Sequence, residues 1–347
     1  MREFEGMRTI PRGQGRLFNL LFLFEHYFPN SAPIKRIKDT TRLRIAEHLR
    51  AGGKGTIIPV ERKRGLSPEE FQRRYLATGT PVIIEGAAAE WPCVKQWSFD
   101  VFKERYGKES IKLVQRKGLS DDDFVDEKEF SEEIIFGDFL DQVLSGGMKY
   151  MRFSPLLEKF PELLQDFDKT FCKGMTGGKS WGSMYQLFIG GKKTFTPLHN
   201  AMSPFFFVNV TGVKRWALIP SCYLAALNPP ADGYGYNHSD AEADLSNVER
   251  FPGFESIDRW EAVMQPADVL YVPAWMWHSV QNEAPTIGVR WGFVYPWEMV
   301  AGSPTLAFIR LFAARNPSTL EALYYTLFKG NLADRDKWLL NAKVFRE

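Results

Sequence analysis

The stretch TPLHNAMSPFFFVNVTGVKRWALIP (196–220), taken with DVLYVPAWMWHSVQN (268–282), decides how this chain is read. Each segment carries a histidine, His199 or His278, beside a run rich in β-branched and aromatic residues, and the two lie 79 positions apart. In a small β-barrel such a pair can meet at one metal. Two imidazoles and a carboxylate capping one face of an iron would call for His-x-Asp at the first site. The third position here is Ala201, which has no donor atom. Iron chemistry has been lost, or it has been redirected by opening one more coordination position.

Working outward, seven apolar runs follow Ser183: SMYQLFIG, PFFFVNVTG, KRWALIP, EAVMQ, DVLYVP, HSVQN and IGVRWGFVYP, with turn signals between them. Such spacing predicts a mainly β core with helical flanks (α+β), arranged as a double-stranded β-helix or jelly roll. Residues 221–258 interrupt it with Pro229-Pro230, several Gly and Asp, and FPGF, which reads as a lid-like insertion.

Upstream, Ser67 with Pro68 and Glu70 forms an N-terminal capping box for a helix running to about 77, and 82–85 follows as a strand. Ser98 caps a second helix that Gly107 stops. Strands are expected over 108–117 and 148–153, a solvated acidic loop over 120–133, and helices over 139–144 and 158–167. Helices are also expected at 17–28 and 34–51, and after Pro304 at 305–314, 318–329 and 334–345. The expected division is a helical extension over 1–55, the β domain over 56–300 and a helical segment over 301–347.

Aromatics make up 14% of the chain, which suits a core or pocket walled by rings. A net charge of +2 gives no case for nucleic acid or an anionic membrane. Cys93, Cys172 and Cys222 are scattered and odd in number, so a reducing, cytoplasmic setting is expected rather than a disulfide framework. The run LFNLLFLF (17–24) follows four arginines, but Glu25 and His26 end it, and it is too short to span a bilayer. TGGKS (176–180) lacks the first glycine of a phosphate loop and reads as a turn.

The order WP…W…YG (91–107), LFIG…TPLH, GVKRWALIP and FPGF…ADVLYVPAWMWHSVQN resembles the JmjC-type cupins over about 60–300, and most closely the subgroup holding the asparaginyl hydroxylase of hypoxia-inducible factor. The resemblance implies an iron(II)- and 2-oxoglutarate-dependent oxygenase. His199 and His278 match the iron-binding histidines. Thr196 and Lys214 match residues that hold the far carboxylate of 2-oxoglutarate, and Tyr150 resembles a tyrosine that contacts it. Besides Ala201, Phe205 and Arg290 stand where close relatives carry asparagines. Relatives dimerise through C-terminal helices, so a homodimer is implied, as is a small-molecule or peptide/protein substrate.

Each residue also has a bland reading. A lone barrel histidine is more often structural, but two in matching contexts point to a metal. Lys214 would otherwise be a turn lysine, yet its flanks are strongly apolar, and a buried lysine needs an anionic partner such as a dicarboxylate. Arg290 is either a structural ion pair with an acid on a neighbouring strand or a carboxylate clamp. Asn200 would face away from a metal at His199. His26 and His48 read as surface or packing residues. For His238, beside Asp240 and Glu242 in the insertion, a loop histidine is the main reading and a substitute ligand the minor one.

Three functions stay open for Ala201. In iron halogenases of another branch of this fold, Ala or Gly replaces the carboxylate and chloride fills the site, so a radical halogenase is one, by analogy of site. A hydroxylase with a non-standard centre is the second, and a non-catalytic binding protein the third. Retention of Lys214 and Thr196 beside both histidines favours chemistry.

Overall fold

The computed structural model describes residues 2–114, 131–154, 156–231, 237–241 and 249–312. Its strands are β1 (Ile57–Pro59), β2 (Glu61–Lys63), β3 (Val82–Ile84), β4 (Ser110–Val114), β5 (Ser131–Ile135), β6 (Tyr150–Ser154), β7 (Trp181–Gly190), β8 (Phe195–His199), β9 (Phe205–Thr211), β10 (Lys214–Ile219), β11 (Arg259–Met264), β12 (Val269–Val272), β13 (Trp277–Asn282) and β14 (Thr286–Val294). One sheet has the order β1-β11-β10-β13-β8 and the other β2-β3-β12-β9-β14-β7-β6, while β4 and β5 form a separate ladder. The jelly-roll expectation therefore holds as two facing sheets rather than one hydrogen-bonded closed barrel. All seven expected runs are strands.

Among the described residues, three apolar clusters divide the interior. Between the sheets lie Phe188, Phe205, Phe207, Leu270 and Val272 from one and Trp216, Leu218, Trp260, Met264 and Val280 from the other. Burying each such side chain contributes roughly 1.5–3 kcal/mol. The outer face of the larger sheet, with Phe206, Val208, Tyr271 and Trp291, packs against helical segments that supply Phe71, Trp91, Phe102 and Phe139. The third cluster joins Leu198, Ile219, Trp275 and Trp277 to Phe18 and Phe22 of helix Arg12–Tyr27 and to Ile45 and Leu49 of helix Ala32–Ala51. The first two expected helices thus exist and pack on the sheet side that carries the histidine loops.

Local chemistry set the boundaries where it was read. Ser67 Oγ accepts from Glu70 N at 3.2 Å and Ser98 Oγ from Val101 N at 3.1 Å, capping helices Pro68–Phe71 and Phe99–Tyr106. The acidic-loop expectation needs one correction: Ser131–Ile135 is a strand paired with β4, and 115–130 lie outside the described residues. The insertion also differs from a free flap in its described parts. Tyr223, Leu224, Leu227, Phe251 and Phe254 are buried against the N-terminal helices. A helix at Pro304–Leu311 follows Pro304 as expected. The helices expected over 318–329 and 334–345, and the dimer contact assigned to them, lie outside the described residues. No described helix is long and apolar enough to cross a membrane.

Candidate metal centre

His199 and His278 are Cα partners across β8 and β13, and their ring centres are 4.1 Å apart. The register shifts between this pair and Thr196–Val280, so three steps on β8 match two on β13. In a regular strand residues three apart face opposite ways. The bulge re-aims the strand so that Thr196 and His199 both face the side that carries His278 and Val280.

His199 Nδ1 lies 2.8 Å from Pro197 O, and His278 Nδ1 lies 2.9 Å from Met276 O. A carbonyl only accepts, so in a neutral ring each Nδ1 carries the proton and each Nε2 keeps its lone pair for a metal. Burial pushes His199 down to about 4. Burial, and then the neighbouring His199, hold His278 well below the usual imidazole range. Both rings are therefore uncharged at neutral pH, with a free Nε2 lone pair, the state a metal ligand needs.

Position 201 is fixed just beyond the first histidine. Ala201 O accepts from Trp275 N at 2.7 Å, and Trp275 sits at φ 61°, a left-handed conformation that a bulky residue adopts only when its surroundings hold it. Trp275 Nε1 donates to Met299 O at 2.6 Å, and Ala274 N donates to the buried Glu298 carboxylate at 3.1 Å. The turn that leads into His278 is thus tied to residue 201. Among the described residues no three His, Cys, Asp or Glu side chains already converge on one point.

From the imidazoles the interior runs through rings to an amine. Phe205 and Trp216 lie 5.4 Å and 5.8 Å from the His278 ring, and Phe207 lies 4.9 Å from Trp216. Beyond them is Lys214, fully buried, with Nζ 5.5 Å from the Phe207 centroid and 5.6 Å from that of Tyr150. Lys214 Nζ donates to Asn282 Oδ1 at 2.7 Å, and Asn282 Nδ2 donates to Thr194 Oγ1 at 2.7 Å. Burial alone pushes the amine down to about 7. Thr196 Oγ1 donates to the Tyr150 hydroxyl at 3.2 Å. Lys214, Thr196 and Tyr150 are therefore brought together.

Arg290 is also buried. It lies 4.7 Å over the Phe205 ring and donates to Gln186 Oε1 at 2.7 Å. Gln186, a neutral residue, is its register partner on β7. Asn282, Gln186, Thr194 and Trp216 were not singled out from the sequence. Only strand register brings them here. Gly190 and Gly288 were missed as well: a Cβ at Gly190 would lie 2.5 Å from Tyr150 and 2.6 Å from Asn282, and one at Gly288 would lie 2.6 Å from Phe207.

His238 has Asn237 and Ser239 as neighbours in a short segment that bridges His199, and its ring centre is 6.0 Å from that of His199. His26 is a packing residue, its Nδ1 2.7 Å from Ala231 O. None of the site residues lines the cavity of about 260 Å³ found between Glu25, Lys38, Asn228, Asp240 and Arg250. Its charges pair off, Glu25 with Lys38 and Asp240 with Arg250.

The family model for the cupin-like domain matches residues 68–295. The chain belongs to the cupin-like domain family. It is similar to lysine-specific demethylase JMJ30 of Arabidopsis thaliana, 27% identical over 237 residues, which cover 66% of this chain and 53% of that protein. It is similar to lysine-specific demethylase 8 of Xenopus tropicalis, 24% identical over 217 residues, covering 62% and 48%. A third relative is the tRNA wybutosine-synthesizing protein 5 of Mus musculus, 24% identical over 256 residues, covering 67% and 77%. The chain spans about half the length of the first two. In this cupin-like fold the described residues fit iron(II) and 2-oxoglutarate by donor chemistry. Two neutral imidazoles offer lone pairs. A buried amine has a neutral partner, and the buried Trp216 Nε1 has no hydrogen-bond partner among the described residues. These donors call for an acceptor-rich, anionic ligand.

Proposed function

We propose that this cupin-like protein is an oxygenase-type enzyme using iron(II) and 2-oxoglutarate, with His199 and His278 on the metal. The observation that carries this reading is Lys214, whose fully buried amine has Asn282 rather than a carboxylate as its partner. A structural lysine has no reason to occupy such a place. A dicarboxylate gives it one.

Iron(II) bound at the imidazoles would supply dioxygen activation coupled to oxidative decarboxylation of 2-oxoglutarate. The chain's own contribution is binding and orientation. Lys214 holds the far carboxylate as a charge-assisted pair, with the Thr196 and Tyr150 hydroxyls beside it. The carbonyls of Pro197 and Met276 fix the imidazole tautomers. Phe205, Phe207 and Trp216 keep water from the path between amine and metal, which strengthens each charge interaction inside.

The named relatives are two lysine-specific demethylases and a tRNA wybutosine-synthesizing protein. They support a macromolecular substrate, protein or RNA, beside the small-molecule option, and the whole protein's partners follow from that substrate. Titration of the anaerobic protein with iron(II) and 2-oxoglutarate tests the proposal through the charge-transfer absorption of an iron-bound 2-oxo acid. The band is expected in the parent protein and absent in His199→Ala. No band in the parent protein overturns the reading.

A second reading concerns position 201. Ala201, just after β8, offers no donor atom to the metal, and the positive charges of Arg152 and Arg290 both act on His199. Positive charge beside a vacated anionic ligand favours a halide there, and with it halogenation instead of hydroxylation.

A further inference from the structure

His278 on β13, His199 on β8 and His238 in an isolated bridge beside β8 lie on one rung. His278 and His199 are register partners, and His199 is in turn bridged antiparallel to His238. The bridge is fastened on both sides, by Asn200 N to Asn237 O at 2.9 Å and Ser239 N to Leu198 O at 3.0 Å. Residues directly opposite on antiparallel neighbours present their side chains to the same face. The backbone therefore delivers His238 to the face that carries the histidine pair. The segment is held further by Ser239 Oγ, which donates to Leu227 O at 2.6 Å, and by Asp240, which pairs with Arg250 at 2.9 Å.

Ring spacings set the movement His238 has to make. With metal–nitrogen distances of about 2.0–2.1 Å and a ring centre roughly 1 Å behind its nitrogen, two imidazoles on one ion have centres at most about 6–6.5 Å apart. The centres of His199 and His278 are 4.1 Å apart and those of His199 and His238 are 6.0 Å apart. The His199 and His238 planes are 18° from parallel, so the third ring stands alongside the pair rather than pointing at its nitrogens. No three ligating side chains converge among the described residues, so His238 has to turn about its side-chain torsions while its bridge stays in place.

We propose that His238 supplies the third protein ligand of the metal, an imidazole from the insertion in place of the carboxylate that Ala201 lacks. The inference rests on the metal site proposed above and deepens it. A neutral ligand in place of an anionic one leaves the centre one unit more positive, which favours a dianionic cosubstrate beside it. It also makes the short segment 237–241 part of the metal site.

The test uses cobalt(II) as the probe. The full chain, stripped of metal, is titrated anaerobically by calorimetry and visible ligand-field absorption, as the parent protein and as His199→Ala, His238→Ala and the double variant Ala201→Asp/His238→Ala. Copper(II) spin resonance counts the bound imidazole nitrogens. The parent protein should bind one equivalent. His238→Ala should bind at least tenfold more weakly, with a changed absorption band and one fewer nitrogen. The double variant, which regains a carboxylate, should recover affinity but not the nitrogen. Parent-like affinity and spectra in His238→Ala overturn the inference and leave the two-histidine site standing. Failure of the parent protein to bind cobalt overturns the site itself, and the inference with it. A thermal melt of each variant separates lost ligation from lost folding.

Discussion

Lys214 Nζ donates to Asn282 Oδ1 across β10 and β13 at 2.7 Å, an ammonium and an amide paired in an interior where neither is open to water. A neutral partner repays little of the cost of burying a charge. The amine's affinity for protons falls to about 7 for that reason. Its folded value lies below its unfolded one, so stability falls as pH drops from the unfolded value towards about 7. Lys214→Met should therefore raise stability by an amount on the order of a few kcal/mol, growing across that window. Urea midpoints at pH 7 and pH 9 measure it, and a variant less stable than the parent protein at pH 7 contradicts the account.

The same change should weaken the cosubstrate. Loss of a charge-assisted contact costs roughly 1.5–3 kcal/mol of 2-oxoglutarate affinity. A carboxylate arriving at the amine restores its charge, so binding by the parent protein takes up a proton and weakens as pH rises through about 7. Calorimetry in buffers of different ionisation enthalpy reads the proton. Equal affinity in Lys214→Met removes the lysine from the site.

Much of this was legible in the sequence, and the reasons are physical. Caps at Ser67 and Ser98 are local and need no tertiary information. The seven strand runs carry their own apolar pattern. β8 carries Pro197, which breaks the pattern of a strand and is tolerated because this strand lies at the end of its sheet's order. β1 and β2 are three-residue parallel strands with exposed positions and no apolar alternation. The partners Asn282 and Gln186 depend on register, and a single amide in an apolar run signals nothing by itself. The bulge between Thr196 and His199 is equally silent, yet it aims both at one face.

Gly288 makes room for the amine's cage. A Cβ there would lie 2.6 Å from Phe207 Cε1 and 3.3 Å from Lys214 Cε. Gly288→Ala should destabilise by about 1–3 kcal/mol through overpacking and should weaken 2-oxoglutarate while leaving cobalt affinity near that of the parent protein. Gly13→Ala, in a helix with nothing within 4 Å of its new methyl, is the control and should gain up to about 1 kcal/mol. Thermal melts and 2-oxoglutarate titration separate the two. A Gly288→Ala protein as stable as the control removes the packing argument.

Glu298 holds the turn before His278, accepting from the Tyr271 hydroxyl at 2.6 Å and from Ala274 N at 3.1 Å. Burial raises its carboxyl to about 7, against which both hydrogen bonds and Arg2 act. Its folded value lies above the unfolded 4.5, so the stability it contributes is present below that value and lost as pH rises through about 7. The parent protein should therefore lose up to about 2–3 kcal/mol between pH 5 and pH 8 that Glu298→Gln does not lose. Parallel pH profiles of the urea midpoints in the two proteins would exclude the carboxyl as their cause.

Chloride decides what fills the position left by Ala201. An imidazole from His238 and a halide cannot hold the same coordination position together, so the two readings differ in sign. A ligand that completes the metal's shell tightens the metal reciprocally. If His238 is the ligand, chloride should leave cobalt affinity of the parent protein unchanged and should raise it in His238→Ala, where the position is open. If a halide is the native occupant, chloride should tighten cobalt in the parent protein, and Ala201→Asp should abolish that effect by supplying an internal anion. The same pair of proteins, given iron(II), 2-oxoglutarate and oxygen, carries the distinction into product. Chlorination by His238→Ala alone places the imidazole on the metal, chlorination by the parent protein places the halide there, and chloride-independent hydroxylation by both rules out the halide reading while keeping the oxygenase.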